Sequence, residues 1–243
     1  MSICRTIGER AVRMAQEMRT KMTVEVQGIR KAYGKKQVLT DASFFAESGQ
    51  CVGILGGNGS GKSTLLSILS GVRRADGGSF FYGETELLHH LGRISDVLGY
   101  VPQADPLMEE LSAWDNLRMW HDKATLEREL AGGALAFLGI DGFLKTPVRK
   151  LSGGMRKRLS LACAMASRPG ILVLDEPSAA LDLVCKENII RCLTAYKEAG
   201  GIILLTTHDV WDLSLCDKCL ILKEGSLHAY EYDGDVHKLA EAL

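Results

Sequence analysis

No apolar run in this 243-residue sequence approaches the roughly 20 residues needed to span a bilayer. The longest, such as "GIILLTT" and "ILVL", are strand-length. The opening "MSICRTIGERAVRMAQEMRTKM" lacks the apolar core of a secretory signal. Charge of one sign is not in excess either: 29 Lys and Arg stand against 30 Asp and Glu, a formal net charge of −1. That balance excludes a nucleic-acid binder driven by bulk charge, and no nucleic-acid partner is expected. Tandem repeats and low-complexity segments are also missing. The seven cysteines are an odd number scattered through apolar stretches, which suits a reducing compartment. A cytoplasmic protein is therefore expected. Hydrophobic residues make up 46% of the chain, enough for a sizeable core. Its length suits one large domain, or a domain with an inserted subdomain.

Two local features leave alternatives open. Cys216 and Cys219, in "CDKC", have metal-like spacing, but no second pair follows. A zinc site is one reading; the missing pair favours the other, that Cys219 enters the strand "CLILK". Residues 1–21 carry Ile7, Ala11, Met14, Ala15 and Met18 at helical spacing on a basic background of Arg5, Arg10, Arg13, Arg19 and Lys21. A helix docking on a membrane surface or a partner fits this N-terminal extension. A frayed tail fits it too, as does translation starting at Met22, and these plainer readings are favoured.

From Met22 the pattern changes. "TVEVQGI" alternates like a half-buried strand, "GKK" marks a turn, and "VLTDASFFA" reads as another strand. "QCVGIL" is a short apolar run leading into glycines. "KSTLLSILSG" has helical periodicity, with Gly71 as its C-terminal stop. "SFFYG" and "VLGYVPQ" read as strands, and residues 105–150 as helix-rich throughout. "ILVLDEP" and "GIILLTTH" are buried strands with a helix around "CKENIIRCLTAYKEAG" between them, and "KCLILKEGSLHAYEY" resembles a closing hairpin. Strands apolar on both faces, alternating with helices, predict a parallel sheet covered on both sides. The helical stretch reads as an inserted subdomain.

The chemistry begins at "GGNGSGKST", residues 56–64. Gly56, four residues, and then Gly61-Lys62-Ser63 follow a strand and open a helix, the spacing of a phosphate-binding loop. Glycines let successive backbone N–H groups turn inward toward phosphate oxygens, and the helix dipole adds positive potential. Gly57, Asn58, Gly59, Ser60, Gly61, Lys62, Ser63 and Thr64 are the expected contacts. Lys62 brings a full charge to the β- and γ-phosphates, and the Ser63 hydroxyl suits Mg²⁺. "ILVLDEP" places Asp175 and Glu176 at the C-terminal end of a buried strand, where ligands of open α/β sheets bind. Asp175 is placed to hold Mg²⁺ and Glu176 to polarise a water, a division that suits hydrolysis of a nucleoside triphosphate. His208 ends the next buried strand. It is either a satisfied structural histidine or a donor to the γ-phosphate. A second glycine turn, Ser152-Gly153-Gly154 in "LSGGMRKRL", opens another helix with free N–H groups and a hydroxyl, an anion site by the same physics. Spacing alone does not say whether it faces the same nucleotide or that of another copy.

The phosphate loop, "LSGGM", "ILVLDEP", "SAALD" and "TTHD" occur in the order and approximate spacing of ATP-binding cassette ATPases, the nucleotide-binding subunits of ABC transporters. The chain resembles that family over residues 22–243. The resemblance implies a P-loop NTPase core with a mostly parallel sheet, an antiparallel β subdomain and an α-helical subdomain inserted over about 105–165. It implies that Tyr33 stacks on adenine, and that Gln103 reaches Mg²⁺ and the attacking water. It implies that Asp182 lies in a loop crossing to the opposite subunit, and that His208 senses the γ-phosphate. The Ser152-Gly153-Gly154 turn then closes over the ATP of a second, identical subunit in a head-to-tail dimer. ATP and Mg²⁺ are the implied ligands. An integral membrane permease is the implied partner, holding this chain on the inner face of the membrane. Trp114 and Trp120 are candidate permease contacts, although tryptophans at helical spacing are more often core. Met155, where many importers carry glutamine, and the basic Arg156-Lys157-Arg158 resemble the exporter branch; the plainer reading of the triplet is a solvated helix face. An importer subunit and a soluble, non-transport cassette remain alternatives. An unrelated P-loop kinase or GTPase does not explain "LSGGM", and the guanine-reading N-K-x-D sequence is absent.

Overall fold

Residues 22–243 are described by the structure, a computed structural model. The expected helix or tail over 1–21 lies outside the described residues. The chain runs β1 (Thr23–Tyr33), β2 (Lys36–Glu47), β3 (Cys51–Leu55), α1 (Lys62–Leu69), β4 (Gly77–Tyr82), β5 (Thr85–Glu86), α2 (Leu91–Val97) and β6 (Leu98–Val101). Three short helices follow, α3 (Ala113–Arg118), α4 (Lys123–Leu130) and α5 (Ala134–Phe137). Then come α6 (Gly153–Met165), β7 (Ile171–Asp175), α7 (Leu183–Glu198), β8 (Ile202–Thr206), α8 (Val210–Leu213), β9 (Lys218–Lys223), β10 (Ser226–Tyr230) and α9 (Val236–Ala242).

The strands join in the order β5-β4-β1-β2-β10-β9-β3-β8-β7-β6. The stretch from β9 to β6 is parallel. β1, β2, β4 and β5 pair antiparallel, and Ser226 opposite Asp41 joins the two regions. Period-two alternation sends successive residues of the central strands to opposite faces. Val52, Ile54, Ile171, Val173, Ile202 and Leu204 pack with α1 and the antiparallel strands. Cys51, Leu172, Leu174, Ile203 and Leu205 pack on the other face with α6 and α7. Each buried Leu or Ile contributes about 1.5–3 kcal/mol. The sheet is thus covered on both sides.

The stretch 105–150 departs from the expectation of continuous helix. Its helices have six, eight and four residues, with 3₁₀ turns at Asp141–Phe143 and Val148–Lys150. Local capping divides it: the Ser112 and Asp122 side chains accept from the backbone N–H groups of Asp115 and Thr125 and start new helices. Glu129, only 1% exposed, accepts from the Ala134 N–H at 3.0 Å and from Arg168 Nε at 2.7 Å. That carboxylate fastens the break between α4 and α5 to the segment leading into β7. Gly71 does follow α1, at φ 73°. The hairpin β9–β10 forms as expected, but the chain continues into α9, whose Leu239 packs against Leu55. Cys219 lies buried in β9, and Cys216 Sγ stands 3.9 Å from Cys51 Sγ.

Candidate functional site

Parallel pairing brings four strand ends to one edge of the sheet. Ile54 stands opposite Thr206, Thr206 opposite Asp175, and Val101 opposite Leu174. Residues just past these positions must therefore converge. They are the loop 56–64, Asp175 and Glu176, His208, and Gln103.

Steric limits fix the loop sequence. A side chain at Gly56 would stand 2.8 Å from the Leu222 carbonyl oxygen and from Ser60 Oγ. Gly61 has φ 111°, and a Cβ there would meet Val38 Cγ1 at 2.9 Å. No side chain caps α1, so its first-turn N–H groups open toward the loop. The ammonium of Lys62, 7% exposed, folds back over the loop and donates to the Gly56 carbonyl at 2.6 Å and the Gly57 carbonyl at 3.2 Å. Burial pushes Lys62 below the usual lysine range, opposed by the nearby Glu176 and Asp175 carboxylates. Ser63 is exposed beside it.

Asp175 is 3% exposed and accepts from the Thr206 hydroxyl of the neighbouring strand. Glu176 sits at φ 51°, a left-handed conformation costing a non-glycine residue on the order of 1–3 kcal/mol. Its N–H donates to the Thr206 carbonyl at 3.0 Å, which holds the turn. Gln103 Nε2 donates to Glu176 Oε2 at 3.1 Å. Partial burial and the Lys62 ammonium lower the His208 imidazole below its ordinary pKa, with Glu176 opposing. Lys62, Asp175, Glu176, Gln103 and His208 are thus brought together. The possible cation donors (the Ser63 hydroxyl, the Asp175 carboxylate and the Gln103 amide oxygen) are all hard oxygens, which fit Mg²⁺. Tyr33 is 42% exposed at the end of β1. The Lys31 ammonium and the Arg73 guanidinium lie 5.7 and 5.8 Å from its ring centre, and Arg73 donates to its hydroxyl at 3.2 Å.

The second glycine turn belongs to a different surface. Ser152 caps α6, its hydroxyl accepting from the Met155 N–H at 3.3 Å. Ser152, Gly154, Met155, Arg158 and Asp182, with residues from the start of α7, line an open cavity of about 270 Å³. No phosphate-loop residue lines it. Asp182 caps α7 through the Cys185 N–H at 2.9 Å.

The basic triplet is not a solvated face. Arg156 reaches Glu109 at 3.5 Å, and Arg158 donates to the Leu138 carbonyl at 3.0 Å. Lys157 is 6% exposed and lies 3.9 Å from Asp105. Trp114 packs against the core, whereas Trp120 is 66% exposed. Sequence reasoning missed the placement of five residues around the site: Thr206, Arg73, Asp212, and Lys157 with its neighbour Asp105. The Asp212 carboxylate, fully buried, accepts from Thr207 Oγ1 at 2.7 Å beside His208. "TTHD" carries a signal for the threonines and lies next to Asp212; a partner distant in sequence leaves none for Arg73 or for Lys157 and Asp105.

Comparison with known proteins places these features together. The family pattern described as ABC transporter matches residues 39–179. A Nod factor export ATP-binding protein of Ralstonia nicotianae is 36% identical over 209 residues, covering 83% of this chain and 64% of that protein. The chain therefore spans less than two thirds of that relative. The linearmycin resistance ATP-binding protein LnrL of Bacillus subtilis is 30% identical, covering 85% of this chain and 68% of its own. A sulfate/thiosulfate import ATP-binding protein of Bacillus cereus is 34% identical, with 85% and 60% covered. Among solved structures, a nucleotide-free ATP-binding cassette from an ABC transporter superposes with TM-score 0.79 at 20% identity, covering 90% of this chain and 95% of that one. A dimeric, post-hydrolysis ATP-binding cassette bound to ADP and Pi gives TM-score 0.76 at 26% identity, covering 86% and 98%.

Proposed function

We propose that this chain, which belongs to the ABC transporter family, binds and hydrolyses ATP as one half of a dimer that drives a separate membrane permease. The carrying observation is the Gln103–Glu176 hydrogen bond at 3.1 Å, beside a loop whose buried lysine donates to the Gly56 and Gly57 carbonyl oxygens. The incoming phosphates take the loop N–H groups and draw the Lys62 ammonium away from Gly56 and Gly57. Tyr33 stacks on the adenine. Ser63, Asp175 and the Gln103 amide oxygen would hold Mg²⁺, which when bound neutralises phosphate charge. Gln103 fixes the Glu176 carboxylate through Oε2, so Oε1 faces the attacking water and takes its proton. His208, kept largely neutral at physiological pH, donates to the γ-phosphate.

The signature turn supports the dimer. We read the nucleotide it covers as that of a second copy, a homodimer being the simplest arrangement, which accords with a cavity lined by Ser152 and Gly154 and by no phosphate-loop residue. The dimeric cassette bound to ADP and Pi is a solved example of such pairing. No described helix is long and apolar enough to cross a membrane, which fits a permease on another chain. Met119, Trp120 and Phe137, all exposed on the 105–150 stretch, offer it an apolar surface. The relative named for Nod factor export favours export over import, although the sulfate/thiosulfate relative keeps import as the second reading. Affinity purification from detergent-solubilised membranes tests the assignment. A co-purifying membrane-spanning protein, lost from the Trp120→Asp variant, is expected. Recovery of wild type solely from the soluble fraction, with no membrane protein attached, contradicts it.

A further inference from the structure

Lys157 is a buried cation with no place in the hydrolysis chemistry. It lies on α6 one turn beyond the glycines of the signature turn, and it is 6% exposed. Its ammonium reaches the segment following β6. There it stands 3.5 Å from the Pro102 carbonyl oxygen and 3.9 Å from Asp105 Oδ1. That carboxylate oxygen is itself buried and has no hydrogen-bond partner. A buried ammonium and a partly buried carboxylate, 24% exposed but with Oδ1 enclosed, are each costly alone, so each holds the other. Burial lowers the lysine pKa, opposed first by Asp105 and then by the more distant Asp175, Asp212 and Glu176 carboxylates; burial raises that of Asp105, opposed by Lys157 and Arg156. Between the two anchor points sits Gln103, whose amide reaches Glu176 at 3.1 Å. The anchors are loose, at 3.5 and 3.9 Å against the roughly 2.7–2.9 Å of tight charge-assisted bonds.

We propose that Lys157 is a positioning residue that ties the Gln103 loop to the signature helix, so that seating the signature turn on a nucleotide sets Gln103 and Glu176 for attack. The inference rests on the roles given to Gln103 and Glu176 under the proposed function. It differs from a purely structural role in one respect: Lys157 acts through Gln103. Removing Gln103 must therefore remove its effect.

The test is a double-mutant cycle in steady-state ATPase activity at saturating ATP, using the full chain as wild type, Lys157→Met, Gln103→Ala and the double variant. Lys157→Met is expected to lower kcat on the order of tenfold, a cost appropriate to a displaced catalytic group. Its affinity for a fluorescent ATP analogue should stay within about twofold, and Lys157→Arg should recover most of the rate. In the Gln103→Ala background, Lys157→Met should add nothing. Multiplying losses would overturn the proposal, because Lys157 would then act independently of Gln103. An unchanged kcat in Lys157→Met, with Gln103→Ala impaired, would also overturn it while leaving the proposed function intact. A wild-type rate for Gln103→Ala would instead remove the reading on which the proposal rests. If Lys157→Met fails to fold, Asp105→Asn replaces it in the same cycle. A smaller loss, again abolished by Gln103→Ala, is then expected, and a loss that persists there refutes the coupling.

Discussion

Replacing Lys62 by alanine tests the phosphate loop through a single charge. In the free chain the ammonium has two neutral acceptors, the Gly56 and Gly57 carbonyls at 2.6 and 3.2 Å. With ATP bound it exchanges them for charged phosphate oxygens. Hydrogen bonds to charged groups contribute about 1.5–3 kcal/mol each and neutral ones about 1 kcal/mol, so two exchanged bonds leave a net gain of about 3 kcal/mol. That corresponds to a loss on the order of a hundredfold in ATP affinity for Lys62→Ala. Isothermal titration calorimetry with ATP and Mg²⁺ measures it, and a thermal melt confirms that the variant is folded. A folded Lys62→Ala chain binding within about threefold of wild type would show that the buried ammonium does not serve the phosphates.

Three further outcomes follow from the geometry. Tyr33→Ala should weaken ATP binding about fivefold, from the loss of a stacking contact of roughly 1 kcal/mol, with Tyr33→Phe affected less; equal losses in a binding titration would point to the hydroxyl bonded to Arg73 instead. Met155→Gln should change ATPase kcat by less than about threefold, because the anion-binding groups of the signature turn are backbone N–H groups and Ser152; a loss on the order of a hundredfold in the same assay would place chemistry on residue 155. Asp212 is fully buried, and burial raises its pKa, opposed by the bond from Thr207. An acid whose folded pKa lies above its unfolded one penalises the fold above the folded pKa, and the penalty vanishes as pH falls past the unfolded value. Asp212→Asn should therefore raise the melting temperature at about pH 7.5, and the gain should shrink toward about pH 4; a gain that does not change with pH would refute the charge argument.

What the sequence reveals follows from how local the cause is. The loop 56–64 is legible because each residue type has one local reason, either backbone freedom, charge or hydroxyl. Asp175 and Glu176 are legible because a buried apolar run fixes where its end must lie. Gln103 is different: only the pairing of Val101 with Leu174 brings it beside Glu176, and the sequence offered its role through family resemblance alone. Arg73 and Tyr33 are 40 positions apart, and Lys157 meets Asp105 only after α6 folds over the end of β6. Nothing in the pattern of either segment records these meetings. The stretch 105–150 reads as helix because its composition favours helix, but the caps at Ser112 and Asp122 and the Glu129 carboxylate divide it. The same limits apply to "LSGGMRKRL": its serine and glycines speak for themselves, and its lysine does not.

The central claim is that Glu176 carries hydrolysis while two copies close over ATP. Glu176→Gln keeps the shape of the side chain and removes the base, so binding should persist while turnover falls by a factor on the order of 10²–10⁴. Size-exclusion chromatography of this variant with ATP and Mg²⁺ is the most direct measurement. A stable dimer with ATP and a monomer without it are expected. A variant that remains monomeric with ATP, or that hydrolyses ATP at the wild-type rate, would contradict the claim.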